Sequence, residues 1–162
     1  MRDVRLHEQV AFLAFSLLAG CSCGSVKVQL ADRFDDEHRG TDLFLIKETN
    51  GRRKRLRIDL TEGHREVIAK KFKRNLQLAK HRRGYWVWVV PVLREEVITA
   101  GTDPCFSKTW DRVVSAVYEP VAFTPQDLCP EHVEGCSLVE KLFTIGRGLI
   151  MSLPKDYQAL FE

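Results

Sequence analysis

Apolar and polar residues follow distinct rhythms along the chain. Leu6, Val10, Leu13 and Leu17 recur at spacings of 4, 3 and 4, which predicts a helix over 5–19. Phe12 and Phe15 lie opposite that stripe, so burial on two faces is expected. Glu8 shares the second face, either as a charge favoured by the helix dipole or as a carboxylate aimed into a site. SVKVQLA, 25–31, alternates as a strand, and DRFDDEHRG, 32–40, reads as a polar loop. GTDLFLIKETNGRRKRLRIDLTEG, 40–63, then reads as two strands joined at Asn50-Gly51, the strongest short signal for a two-residue type I′ hairpin.

Such a turn sets Thr49 against Arg52 and Asp42 against Asp59. With a period of two, Leu43, Leu45, Leu56, Ile58 and Leu60 share the core face. Asp42, Phe44, Arg55, Arg57, Asp59 and Thr61 share the other. Opposed like charges destabilise a sheet. Two aspartates there call for a divalent cation or a basic group between them, or else for a wet outer face with Arg55 or Arg57 compensating.

HREVIAKKFKRNLQLAK, 64–80, predicts a helix with a buried stripe of Ile68, Phe72, Leu76 and Ala79. YWVWVVPV, 85–92, is a continuous apolar run, the pattern of a central strand, with Trp86 and Trp88 in the core and Pro91 at its end. Helices are expected over 108–119 and 137–151, the latter weakened by Gly146 and Gly148, with a loop over 123–132. No internal repeat or low-complexity segment interrupts this order, and 162 residues fit a single domain over 1–162.

Charge changes the picture in one place. The overall balance is +3, but residues 52–83 hold 13 Lys and Arg against 3 Asp and Glu, a local net of +10. That asymmetry points to a polyanionic partner, most simply nucleic acid, DNA or RNA, or else to a solvated helix face with a charged hairpin edge. Five cysteines without a regular framework fit a reducing compartment. Cys129, His132 and Cys136 are zinc-type ligands that Cys21 and Cys23 could complete, yet no spacing requires a fourth ligand, and no structural zinc is expected. Leu17 to Cys21, LLAGC, matches a lipoprotein cleavage box, but Asp3 and Glu8 occupy what should be a positive leader. A cytoplasmic protein is expected, with no apolar run of the ~18 residues a membrane span requires.

The order helix, strand, acidic hairpin, basic helix, buried strand, over roughly residues 5–92, resembles the PD-(D/E)XK nuclease superfamily. The resemblance implies an α/β (α+β) fold with a restriction-endonuclease-like core, a small mixed sheet flanked by helices. It implies a site in which Asp42 stands at the start of the second strand and Asp59 opens the acid-x-Lys triplet of the third. Glu8 matches an acid from the first helix. Asp42 and Asp59 would bind Mg²⁺ or Mn²⁺, with Glu8 holding water, for hydrolysis of a phosphodiester. Arg52, Arg53, Lys54, Arg55, Arg57, Lys70, Lys73, Arg74, Arg82 and Arg83 would bind the nucleic-acid backbone.

The triplet departs from the family at Thr61, where Lys is expected. Thr cannot supply a cation. Three outcomes follow: Thr61 suffices, a basic residue reaches in from the next helix with Lys71 best positioned, or cleavage is lost and a catalytically inactive nucleic-acid-binding or partner-binding module remains.

Overall fold

Asn50 and Gly51 both take positive φ, 52° and 75°, as the type I′ turn requires. The computed structural model describes residues 3–21, 25–81, 87–102, 104–121, 141–142 and 144. The turn joins β2 (Leu43–Thr49) to β3 (Arg52–Thr61). Their antiparallel register runs from Thr49↔Arg52 to Leu43↔Ile58, as the turn dictates. Before the hairpin come α1 (Leu6–Cys21), β1 (Val26–Leu30) and α2 (Arg33–Arg39). After it come α3 (Arg65–His81), β4 (Val87–Pro91), α4 (Arg94–Gly101), α5 (Pro104–Val113) and a 3-10 turn over Val114–Ala116. The fold is α/β, with one four-stranded mixed sheet of order β1-β2-β3-β4 flanked by helices. β3 and β4 are parallel because α3 carries the chain back between them.

Leu43, Leu45, Leu56, Ile58 and Leu60 all lie in the main core, together with Val10 to Phe15 of α1. Both faces of α1 are buried there from Val10 onward, whereas Leu6 is 37% exposed, and Phe12 meets Trp110 of α5 edge to face at 5.9 Å. Leu17 to Cys21 form its end, with Leu18 and Ala19 inside the core. Trp88 packs against the same core. The opposite face of β2 is also covered. Phe44 and Ile46 form a small cluster with Ala31, and the guanidinium groups of Arg55 and Arg57 lie 4.0 Å and 5.2 Å from the centre of the Phe44 ring. The far edge of β1 is closed by residues 117–121, through Leu30 N–H to Val117 O at 2.7 Å and a Val28↔Val121 bridge. That pairing removes a free edge.

Two sequence expectations are corrected. The polar stretch 32–40 is not a loop but contains α2. Asp32 caps it by accepting the Asp35 N–H, and Gly40 ends it at φ 59°; local capping outweighs its polarity. The α3 stripe is also different. Phe72 is 47% exposed, and the less exposed side of the helix carries Ile68, Lys71 and Asn75. Asn75 donates to Val87 O at 3.1 Å and Lys71 to Asp59, so polar bonds to the sheet, rather than the apolar stripe, orient this helix. α4 has no counterpart in the sequence reading, and the expected helix over 108–119 is α5 plus its 3-10 turn. The expectations for 123–132, for 137–151, for Trp86, Arg82 and Arg83, and for Cys129, His132 and Cys136 fall outside the described residues, wholly or, for 137–151, almost wholly. So do the side chains of Leu76 and Ala79.

Candidate metal centre and basic surface

The hairpin register leads to a kink at Asp42. Its N–H bonds Ile58 O at 2.8 Å, while its C=O takes the Ala31 N–H at 2.9 Å. A regular antiparallel residue sends both groups to one neighbour. Asp42 divides them between two, and the β2–β3 ladder ends at Leu43↔Ile58, one pair short of Asp59. The freed side chain runs along β3, where Oδ2 accepts the Leu60 N–H at 2.7 Å. Asp42 is therefore an acid built into the end of the sheet, 4% exposed, and not a strict ladder partner of Asp59. Asp59 still lies close enough for its charge to repel that of Asp42.

Other elements bring further acids to this point. Glu8, in the first turn of α1, is fully buried, and its Oε2 accepts the Arg5 N–H at 2.7 Å. This is the acid half of a helix capping box. Glu8 thus caps the helix. Asp36 comes from α2. Glu8, Asp36 and Asp42 each offer a carboxylate oxygen, all within 4.8 Å of one another. Asp36 was not among the residues singled out in the sequence. The signal that exposes it is Asp32 three residues before Asp35, a cap-and-first-turn pattern that turns DRFDD into a helix start.

Electrostatics follow from this crowding. Burial, with Glu8 and Asp59 adding repulsion, pushes the Asp42 carboxyl up to about 9. Asp59 is also raised, mainly by burial, against the opposing pull of Lys71. Lys71 Nζ lies 3.1 Å from Asp59 Oδ1. α3 thus delivers a cation to Asp59, reaching in from the helix that follows the hairpin. Thr61 is buried, and its Oγ1 accepts the Gly63 N–H at 3.2 Å. One residue on, Glu62 Oε1 lies 3.1 Å from His7 Nδ1, a strut between the start of α1 and the end of β3.

The donor set fits a hard divalent cation. It consists of carboxylate oxygens from separate elements, one of them holding a proton that a cation would replace. The basic residues divide into two groups. Arg52, Arg53, Lys54, Arg55, Lys70, Lys73 and Arg74 are exposed. Arg57 is half-buried and bonds Asp35 at 3.1 Å and Thr41 at 3.4 Å, so its charge is engaged in fastening α2 to the sheet. No helix among the described residues is long and apolar enough to cross a membrane. Comparison with family models, curated proteins and solved structures gives no match.

Proposed function

We propose that the protein is a nuclease-like protein that binds nucleic acid and hydrolyses a phosphodiester with Mg²⁺ or Mn²⁺. The observation that carries this reading is the convergence of Glu8, Asp36 and Asp42 within 4.8 Å, with Asp59 close enough to repel Asp42 and Lys71 bonded to Asp59. The order of the elements supports the restriction-endonuclease-like core. An acid precedes the second strand, the third strand holds Asp59 and Thr61, the first helix holds Glu8, and a helical crossover links parallel third and fourth strands.

Glu8, Asp42 and Asp59 would hold the cation, and Asp36 is the added ligand. The cation supplies Lewis-acid stabilisation of phosphate charge and lowers the pKa of water. Asp42 gives up its proton on loading. Lys71 takes the part that Lys would play at position 61, offsetting negative charge beside Asp59, while Thr61 shapes the turn to Gly63. The exposed cations of β3 and α3 grip phosphates, which gives affinity without sequence readout.

A second reading is the same binding module without cleavage. It is favoured by the Lys71–Asp59 pair, in which a lysine already offsets the charge of one acid. Plasmid nicking by wild type and Asp59→Asn, with and without Mn²⁺, separates the two. Nicking that requires both Mn²⁺ and Asp59 supports hydrolysis. Salt-sensitive binding without nicking by any variant assigns the inactive module, and nicking that persists in Asp59→Asn refutes this site.

A further inference from the structure

The aromatic ring at position 72 is out of keeping with its sequence pattern. Ile68, Phe72 and Leu76 form an apolar line at helical spacing, yet Phe72 is 47% exposed. Among the described residues with assigned burial, Phe34 and Phe72 are the exposed aromatic side chains. Adjacent helix positions differ by about 100°. Phe72 therefore flanks the side of α3 from which Lys71 reaches Asp59 at 3.1 Å. Its other sequence neighbour, Lys73, is exposed, and so is Arg65, two turns earlier on the same flank. An apolar ring framed by cations, next along the helix to the lysine that bonds Asp59, suits a polyanion that also offers flat apolar faces. Paired bases in a duplex hide those faces, whereas unpaired bases present them, and stacking on aromatic side chains accepts any base.

We propose that Phe72 is a platform for an unpaired base, so that the strand held at the acidic cluster is single-stranded at that point. This rests on the nucleic-acid reading above and narrows its substrate class. Lys73 and Arg65 hold the flanking phosphates, and Lys71 faces the cluster. Phe34 is 55% exposed, but it stands two residues, about 200° of helical turn, from Asp36. It points away from the cluster and serves as the control.

The test is fluorescence anisotropy of the full chain with a short single-stranded oligodeoxynucleotide and with the matching duplex, in EDTA so that nothing is cleaved. Phe72→Ala is expected to weaken the single strand roughly 5- to 150-fold, the range of one stacked base, and to leave duplex affinity and the salt slope unchanged. Phe72→Trp should retain binding, and a 2-aminopurine in the strand should be quenched by wild type and not by Phe72→Ala. Phe34→Ala should change nothing. Equal weakening of both probes, or no weakening, overturns the stacking proposal and leaves electrostatic binding standing. No binding of either probe by wild type overturns the nucleic-acid reading itself. A change of oligomeric state in Phe72→Ala with nucleic-acid affinity intact assigns the ring to a protein interface and also overturns the proposal.

Discussion

Asp42→Asn is the perturbation that separates a buried proton from an ordinary surface carboxylate. In the unfolded chain Asp42 titrates near the usual ~3.9; in the folded protein burial and its acidic neighbours raise it to about 9. Between pH 5 and 8 the folded state therefore holds a proton that the unfolded state has released. Stability contributed by this group is complete at low pH and declines as pH rises toward about 9. One proton corresponds to ~1.4 kcal/mol per pH unit, or about 4 kcal/mol across that window. Asn is nearly isosteric, does not titrate, and keeps an oxygen to accept the Leu60 N–H that Oδ2 now takes at 2.7 Å. Urea unfolding at several pH values without divalent ions should show the stability of Asp42→Asn gaining on wild type by ~1.4 kcal/mol for each unit of rising pH. Parallel pH profiles for the two proteins would refute the buried proton, and with it the claim that cation loading at this end of the sheet displaces one.

Three further outcomes follow from the same geometry. Lys71→Met should reduce Mn²⁺-dependent cleavage far more than Thr61→Ala, whose lost bond to the Gly63 N–H is worth only ~1 kcal/mol; equal effects would deny Lys71 its role. Thr61→Lys introduced into Lys71→Met should restore part of the activity, since Thr61 and Asp59 share strand parity, and a double variant as inactive as Lys71→Met would count against that face. Reversing the charges of Lys70, Lys73 and Arg74 should weaken binding across all sequences and flatten its salt dependence, read by titration at low and moderate salt, and an unchanged slope would remove α3 from the interface.

Where one local rule decides structure, the sequence is legible. Asn50-Gly51 determines the turn, the turn determines the register, and the register determines which leucines enter the core. Glu8 could be singled out from helix geometry, whereas Lys71 came into view only through the Lys missing at Thr61. What escaped was set by competition between elements. Asp36 was hidden in a polar run whose helix depends on the Asp32 cap and on Arg57 from β3 reaching Asp35. The break in the ladder at Asp42 arises because its backbone bonds both Ala31, just after β1, and Ile58 of β3, which no pairing rule for two strands contains. Phe72 was misassigned to the core because periodicity marks an apolar line without saying which side of a helix the sheet accepts. Asn75 and Lys71 decide that through their bonds to Val87 and Asp59.

The central claim is that the acids at the end of this sheet form a divalent-cation site. Anomalous diffraction from crystals soaked in Mn²⁺ tests it directly. A single strong peak is expected among the carboxylates of Glu8, Asp36, Asp42 and Asp59, at the roughly 2.0–2.3 Å of hard oxygen ligands, lost in Asp42→Asn. Absence of density there at saturating Mn²⁺, or Mn²⁺ bound only elsewhere on the chain, would contradict it.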